Sequence, residues 1–532
     1  MSREPGSGGA RHGLASFTRV AEFAKTISEA YATEGEAVDL GRGVHEGELF
    51  RDAAVRVPLA TMNRHGLVAG ATGTGKTKSL QLLAEQLSRA GVPVLVADVK
   101  GDVSGLAAPA PPGGPGESRM ADLGLPFAPE AFPVEFLSLG GLGPGVPIRA
   151  TVSDFGPQLL AKVLKANETQ ESSLTLVFHY ADEKGLPLLD LSDLRALLTF
   201  LDSDAGKPEL EGIGGLSSAT VGVLLRSLVG LETGGGTEFF GEPQLDVADL
   251  LRVGPDGRGV VSCVELAAVQ EKPALWSTAL MWLVAELFEA LPEAGDLPKP
   301  KLVVFLDEAH LLFDDATDAF LDALARTVRL IRSKGVGVFF VTQQPTDVSE
   351  EVLAQLGLRI QHALRAFTPS DAKKLRATVS TYPRSDLYDV ETLLTSVGTG
   401  EAAVTLLSEK GVPTPVVHTR MLGPSSSMDP FPGLDAAAKA SPMWAKYGTP
   451  TDAQSAREIL AGRLAPPAPA PDPVDAPMEH VPLPRRAPEP KRAPAPKGGG
   501  ADAIGDFLNS RQGKTLQRDI VRGIFGMLRK RV

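Results

Sequence analysis

Residues 65–79 read HGLVAGATGTGKTKS, an apolar run that passes through a glycine-rich loop into a helical sequence. HGLVAG predicts a buried strand, GTGKTKSLQLLAEQLSRAG (73–91) predicts a loop that feeds a helix, and VPVLVADVKGD (92–102) predicts a second strand. Continuous apolar strands of this kind are typical of a parallel sheet. The stretch therefore predicts a β-α-β unit and an α/β fold.

The loop matches the pattern G-x-x-x-x-G-K-S/T in full, with a strand before it and a helix after it. Glycines let its backbone curl so that successive N–H groups converge on phosphate oxygens. We expect Lys76 to reach the β and γ phosphates of a nucleoside triphosphate and Thr77 to offer its hydroxyl to Mg²⁺. The alternative is a glycine-rich turn with a chance lysine. The predicted nucleotide contacts are Gly70, Ala71, Thr72, Gly73, Thr74, Gly75, Lys76, Thr77 and Lys78.

An acidic pair ends a later apolar run, KLVVFLDEAH (301–310). We expect Asp307 to hold Mg²⁺ through water and Glu308 to act as the general base on the attacking water. The alternative is a strand that ends in two solvated carboxylates. An adjacent base favours ATP hydrolysis over phosphoryl transfer to a small molecule, because it would hydrolyse the triphosphate that a kinase needs to conserve.

The next apolar strand, VGVFFVTQQP (336–345), also ends in polar residues. A side chain at this strand end lies beside the γ-phosphate, and we expect Gln343 to contact it. The alternative is a turn residue that caps the strand.

Composition limits the class of protein. The chain has 532 residues, 43% of them hydrophobic and 22% charged, and a net charge of −12, so it has no global basic field for nucleic acid. Its one cysteine, Cys263, lies in an apolar run and is expected to be a buried, inert thiol. No run is apolar enough to span a membrane and no leader is evident, so we expect a cytoplasmic protein.

Six segments follow from the patterning along the chain. They are a helical lead-in (1–45), the first part of the ATPase core (46–150), a helical insertion (151–254), the second part of the core (255–425), an extended, disordered linker (426–500) whose Pro/Ala-rich part is 462–500, and a C-terminal amphipathic helix (501–532). The last of these carries seven basic and three acidic residues. It is expected to dock on the motor or a neighbouring subunit, with nucleic acid or a membrane surface as alternatives.

GATGTGKT, VADVKGD, FLDEAH and VTQQP occur in this order, with a helical segment between the second and third. In this the chain resembles the HerA/FtsK superfamily of hexameric DNA-pumping ATPases, and more closely the bacterial HerA-like proteins that carry the C-terminal helicase domain. The resemblance covers residues 40–425 and the tail. It implies a RecA-like P-loop core, ATP and Mg²⁺ as cofactors, a homo-hexamer and double-stranded DNA as a partner. A protein partner such as a nuclease is a further expectation.

The sequence has room for one motor domain, which excludes a DEAH-box helicase despite the letters DEAH at 307–310. A one-domain motor must take its closing arginine from a neighbouring subunit. The resemblance makes Arg359 the first candidate and Arg365 the second, with Arg329 and Arg332 as alternatives. Gln344 stands where the FtsK branch has an arginine.

Other polar groups are less specific. Asp98, Lys100 and Asp102 follow the second strand, where Lys100 is expected to contact a phosphate or a DNA backbone, with a solvated loop lysine as the alternative. Asn167, Thr169 and Gln170 lie at a helix boundary and are expected to cap it. Two functions stay open at this point: a DNA-translocating ring motor, and an ATPase switch that acts on a protein partner. A phosphotransferase is the least favoured because of Glu308.

Overall fold

A twelve-stranded sheet forms the centre of the structure, a computed structural model that describes residues 22–210, 212–313 and 318–464. Within these residues the strand order is β2-β1-β12-β11-β10-β3-β9-β8-β4-β7-β5-β6. The strands are β1 Ala37–His45, β2 Glu48–Pro58, β3 Gly66–Ala69, β4 Val94–Asp98, β5 Val134–Leu139, β6 Val146–Ile148, β7 Val261–Glu265, β8 Leu302–Leu306, β9 Val336–Thr342, β10 Leu358–Gln361, β11 Glu401–Leu406 and β12 Val417–Met421.

The sheet is parallel from β10 to β6 and antiparallel from β2 to β10. Every residue of β3, β4, β8 and β9 is buried, as continuous apolar strands covered on both faces require. The α/β fold class with a mainly parallel sheet is confirmed. β11 and β12 pair as the hairpin that the sequence predicts, with Gly411 in the turn at φ +75°.

Helices cover the sheet and form the insertion. They are α1 (residues 22–30), α2 Lys76–Arg89, α3 Pro115–Leu123, α4 Val152–Val163, α5 Glu168–Lys184, α6 Leu191–Asp202, α7 Ser218–Leu231, α8 Thr237–Phe239, α9 Pro273–Ala290, α10 His310–Phe313, α11 Asp318–Ile331, α12 Glu350–Leu353, α13 Pro369–Ser380, α14 Val390–Ser396, α15 Leu434–Ala440, α16 Pro442–Tyr447 and α17 Ala456–Leu464. The chain between β6 and β7 is helical, apart from its connections. Asn167 and Gln170 form a capping box at the start of α5, as expected.

Two predicted boundaries differ from the structure. Residues 37–45, assigned to a helical lead-in, form β1, which pairs with β2 and β12. Residues 426–464, assigned to the linker, contain α15, α16 and α17. Tyr447 of α16 is fully buried, its hydroxyl lies 2.5 Å from Asp249 of the insertion, and its carbonyl accepts a hydrogen bond from Arg149. Packing against the insertion therefore orders this segment.

Other predictions fall outside the described residues. These are the start of the lead-in (1–21), the Pro/Ala-rich linker from residue 465, and the amphipathic C-terminal helix (501–532). Among the described helices, none combines the length and apolarity that crossing a membrane would need.

Candidate nucleotide-hydrolysis site

The three predicted motifs meet at one edge of the sheet. β9 lies between β3 and β8, and all three strands are parallel, with Ala69 opposite Thr342 and Leu306 opposite Phe340. The carboxyl ends of parallel strands lie at the same edge, so the loop after β3, the acidic pair after β8 and Gln343 after β9 are brought together. Ligands bind at this edge in open α/β sheets.

The phosphate loop depends on close backbone approach. Gly70 has φ +151°, and a Cβ at this position would lie 2.5 Å from Cβ of His362. Gly75 has φ +116°, a conformation that strains any other residue. The Nζ of Lys76 donates to the carbonyl oxygen of Gly70 at 2.7 Å, which aims the ammonium into the curl of the loop. Burial, followed by repulsion from Lys100, lowers the pKa of Lys76.

A buried histidine supports the loop from behind. His362 Nε2 lies 2.9 Å from the hydroxyl of Ser79 in α2, and its Nδ1 lies 2.8 Å from the carbonyl oxygen of Glu401. Burial lowers the pKa of His362 to about 4, so the ring is neutral at neutral pH. The role of His362 is not evident from the sequence, since His362 and Ser79 are 283 residues apart.

Asp307 has the properties of a metal-organising carboxylate. It is buried, and its Oδ2 has no hydrogen-bond partner among the described residues. Burial, and then the neighbouring charge of Glu308, raises its pKa to about 7. A buried oxygen without a partner is costly, and a cation or its water would satisfy it. The unpartnered oxygen of Asp307 therefore fits Mg²⁺, which prefers oxygen ligands and keeps several waters.

Glu308 is buried beside Asp307 and is held in an unusual conformation. Its φ is +46°, in the left-handed region. Its carboxylate forms an ion pair with Lys100, which follows β4. His310 Nδ1 lies 3.2 Å from the other carboxylate oxygen. Burial alone would lower the pKa of Lys100, but the bond to Glu308 raises it. Lys100 is thus a member of the site.

Asp98, at the end of β4, shapes the turn that carries Lys100. Its carboxylate accepts from the backbone N–H of Lys100 (3.2 Å), Gly101 (2.7 Å) and Val103 (2.8 Å). Cys263 lies close to Asp98 and is fully buried, and burial raises the pKa of its thiol. The thiol therefore lacks the exposure and thiolate character of a nucleophile.

The residues after β9 and β10 line a cleft of about 140 Å³ that reaches Ala71 of the phosphate loop. Gln343 is exposed in this cleft, where it can contact a ligand. Gln344 instead caps the turn that follows, because its N–H donates to Asp347 at 2.9 Å. Arg365 lines the cleft and is exposed.

The arginine candidates differ in their partners. Arg359 is only partly exposed, and its guanidinium donates to the carbonyl oxygen of Thr381 at 2.7 Å and lies 5.7 Å from the ring of Tyr382. It is therefore engaged within its own subunit, which counts against its place as first candidate. Arg329 and Arg332 are exposed where α11 leads into β9, at the sheet edge away from the phosphate loop. Arg365 is the candidate that combines exposure with proximity to the loop.

The fold and the motifs at this sheet edge define a P-loop ATPase with a RecA-like core. The family model "Helicase HerA-like C-terminal" matches residues 45–532, so the chain belongs to that family.

A curated relative is the DNA double-strand break repair helicase HerA of Sulfolobus acidocaldarius. It is 23% identical over 382 residues, which cover 71% of this chain and 69% of the relative. Among solved structures, the bacterial conjugative coupling protein TrwBdeltaN70 superposes with a TM-score of 0.51 at 15% identity, over 77% of this chain and 94% of that one. Plasmid coupling protein TrwB in complex with ADP and Mg²⁺ gives a TM-score of 0.51 at 16% identity, with the same coverage. These structures share the fold.

Proposed function

We propose that this protein is an ATP-hydrolysing ring motor that acts on double-stranded DNA. One observation carries the hydrolytic part: the phosphate loop, the Asp307–Glu308 pair and Gln343 converge at the carboxyl edge of three parallel strands. A base next to the metal-organising carboxylate favours water as the acceptor.

Each residue then has a defined task. Lys76 and the loop amides bind the phosphates, while Thr77 and Asp307 hold Mg²⁺, which neutralises phosphate charge when bound. Glu308 accepts the proton of the attacking water at Oε2, the carboxylate oxygen that does not contact Lys100 and has no hydrogen-bond partner among the described residues. Gln343 orients the γ-phosphate from the end of β9.

The closing cation is proposed to come from a neighbouring subunit of a homo-hexamer. An arginine in trans supplies a large part of catalysis in several P-loop enzymes. Arg365 lies on an exposed loop beside Phe367, whose side chain is 84% exposed. A large exposed apolar side chain next to an exposed guanidinium is typical of a subunit interface. This supports Arg365 rather than Arg359 as the trans arginine.

DNA binding needs a local basic surface, because the whole chain carries −12. Residues 365–384 provide one candidate, with five exposed basic side chains and a single acidic one. The five are Arg365, Lys373, Lys374, Arg376 and Arg384. We call this the basic segment. Phosphate contacts by such groups supply most of the sequence-independent affinity for DNA. The HerA relative, a DNA double-strand break repair helicase, supports the same partner.

Steady-state ATP hydrolysis tests the proposal, with wild type and Glu308→Gln compared with and without double-stranded DNA and the oligomer sized in the same buffer. Glu308→Gln should bind ATP and lose turnover. DNA-stimulated turnover by a ring supports the motor. Turnover that is absent in wild type, or equal in Glu308→Gln, contradicts the hydrolytic assignment.

A second candidate is an ATPase switch that acts on a protein partner, such as a nuclease, without translocation. The acidic net charge favours it, since long-range repulsion opposes approach to DNA. Turnover that depends on Glu308 and is indifferent to DNA would select this function. A cytoplasmic location remains part of either proposal.

A further inference from the structure

Two acidic side chains lie side by side where β4 and β7 end. Asp98 and Glu265 are the last residues of these parallel strands and are partners in register. Both are buried, with 0% of Asp98 and 3% of Glu265 exposed. One oxygen of each carboxyl lies within 4.8 Å of the other and of the sulfur of Cys263. The proposed hydrolysis gives Glu265 no task, although burying an ionised carboxyl without a cationic partner is costly.

The surroundings of Glu265 favour its neutral form. From β5, Phe136 lies opposite Cys263 and Ser138 follows on the same face of the sheet, and neither side chain carries a charge. From the turn after β4, Asp102 adds negative charge near Cys263. Among the described residues, the charge that acts on Glu265 itself is the negative one of its neighbour on β4. An ionised Glu265 would therefore gain no stabilising opposite charge.

Hydrogen bonds decide which of the two carboxyls keeps a proton. Asp98 accepts from three backbone N–H groups of the turn that follows it, which favours its ionised form. Glu265 accepts from the thiol of Cys263 at 3.4 Å, and a thiol is a weak donor. Burial, and then the charge of Asp98, raises the pKa of Glu265 to about 7. Burial also raises the pKa of Asp98, but its hydrogen bonds act in the opposite direction.

The turn that carries Lys100 rests on this pair of acids. Gly101 has φ +76° and donates its N–H to Asp98 at 2.7 Å, and a Cβ on Gly101 would lie 3.8 Å from Oε2 of Glu265. Lys100, one residue earlier, is ion-paired with Glu308. We infer that Glu265 is a positioning residue that stays protonated beside Asp98. As a neutral acid it leaves the turn in place to hold Lys100 against Glu308.

Ionisation of Glu265 should disturb this arrangement. A second negative charge would then be buried beside Asp98 and directly against Gly101. Repulsion between two adjacent carboxylates is relieved when one of them moves or takes up a proton, and either change weakens the grip of Asp98 on the turn. Lys100 would then lose its fixed position at Glu308. The inference rests on the proposed ATPase, because Glu308 matters here as its general base.

Steady-state ATP hydrolysis between pH 6 and pH 9, at saturating Mg²⁺, tests this role in the full chain. Wild type is compared with Glu265→Gln, which has nearly the same shape and cannot ionise. Glu409→Gln makes the same chemical change at an exposed position and is the control. Groups that titrate in all of these proteins, such as Asp307, cancel in the comparison.

The ratio of the kcat of wild type to that of Glu265→Gln should be close to one at pH 6. At pH 9 it should shift by up to about fivefold in the direction of the change that Lys100→Met causes. The KM of wild type for ATP should rise relative to Glu265→Gln, because a cation leaves its place beside the phosphates. In a Lys100→Met background the difference between Glu265 and Gln should disappear, since no cation is left to displace.

Parallel pH profiles of wild type and Glu265→Gln would overturn the inference. A difference that persists in the Lys100→Met background would also overturn it, because Glu265 would then act by another route. A change of the same size in Glu409→Gln would attribute the effect to net charge and would likewise count against it.

Denaturant unfolding measures the proton on Glu265 without ATP. Because its folded pKa of about 7 lies above its ordinary value of 4.5, its contribution to stability is complete below pH 4.5 and is lost as the pH rises through 7. The unfolding midpoint of wild type should therefore fall relative to that of Glu265→Gln between pH 5 and pH 8. Equal midpoint shifts would contradict the protonated state. If this difference appears but no protein hydrolyses ATP, the proposed ATPase fails and the proton on Glu265 stands.

Discussion

The ammonium of Lys100 is ion-paired with the carboxylate of Glu308, although the two residues are 208 positions apart. They follow β4 and β8, which are neighbours in the sheet. The group assigned to accept a proton is therefore held by a cation, and the same cation repels Lys76.

Removing this cation should release the base. We expect Lys100→Met to raise unstimulated kcat about fivefold, which corresponds to about 1 kcal/mol, the net contribution of a typical hydrogen bond. The KM for ATP should rise as well, since a positive charge is lost beside the phosphates. Steady-state kinetics measure both, with the exposed Lys410→Met as control. A fall in kcat would show that Lys100 holds Glu308 in its working position.

The trans assignment of Arg365 has a direct complementation test. Arg365→Ala should lower turnover about a thousandfold and leave ATP binding intact. A mixture of Arg365→Ala and Glu308→Gln subunits should recover activity, because some interfaces then combine an intact Glu308 with an intact Arg365. Turnover of the mixture that stays at the level of either variant alone would place Arg365 in cis or outside catalysis.

Arg359 should behave as a structural residue. Arg359→Ala removes the hydrogen bond to Thr381 and the contact with Tyr382, and we expect a loss of about 2 kcal/mol in the free energy of unfolding. The folded fraction should retain kcat. Denaturant unfolding followed by kinetics below the transition checks both. Loss of turnover in a stable variant would make Arg359 the first candidate again, as the family resemblance implies.

The phosphate loop offers a matched pair of glycines. A Cβ at Gly70 collides with His362, while a Cβ at Gly73 meets nothing within 4 Å. Both glycines have positive φ, so backbone strain affects both alanine variants. Only Gly70→Ala adds the collision with His362. Gly70→Ala should weaken ATP binding about thirtyfold, or about 2 kcal/mol, which is typical of overpacking, and Gly73→Ala should lose less. Calorimetric ATP titration of the two variants would contradict this if their affinities were equal.

The buried histidines predict a loss of stability in acid. Burial lowers the pKa of His362 and of His65 to about 4, from an ordinary value of 6.5. Between pH 4 and pH 6.5 the unfolded chain binds more protons than the folded protein. The contribution of the two neutral histidines to the free energy of unfolding is therefore complete above pH 6.5 and falls as the pH drops towards 4. Each is worth up to about 3 kcal/mol.

Denaturant unfolding between pH 7 and pH 4 measures this contribution as a difference between wild type and His362→Gln. The variant should lose less stability over the interval. Asp307 and Glu265, whose raised pKa values act with the opposite sign, are present in both proteins and cancel. Parallel pH profiles would show that His362 does not titrate as proposed.

The basic segment can be tested by charge reversal away from the chemistry. Lys373→Glu with Lys374→Glu should leave unstimulated turnover unchanged and abolish stimulation by DNA. DNA affinity, measured against salt concentration, should lose about two units of slope. Lys410→Glu with Lys439→Glu makes the same charge change at exposed positions elsewhere. If the two double variants had equal effects, the change in net charge would explain the loss, and the position of the basic segment would not matter.

The sequence allowed the phosphate loop and the acidic pair to be placed because their geometry is local. The curl of the loop follows from glycines at fixed spacing, and Asp307 follows directly after its strand. Lys100 and His362 could not be assigned this way, since their partners come from strands and helices distant in the chain. Sequence patterns report periodicity within an element and carry no information about which elements become neighbours.

The ordered segment 426–464 also could not be predicted from the sequence pattern, because its order depends on contacts with distant elements. Its helices are short, and short helices depend on tertiary packing rather than on their own propensity. Alanine and proline around Tyr447 resemble the linker that follows, and the burial of its ring against the insertion is not visible in composition. β1 was missed because two glycines interrupt its apolar pattern.

Glu308 lowers the stability of the folded protein, and its function is the reason to retain it. It holds a left-handed backbone conformation, worth about 1–3 kcal/mol of strain, its carboxylate is buried, and its charge helps raise the pKa of Asp307. Glycine at this position would relieve all three. A population selected for thermal resistance alone should therefore drift towards Glu308→Gly, whereas one selected for turnover should retain glutamate, so competing the two selections on one library would expose the trade-off at a single codon.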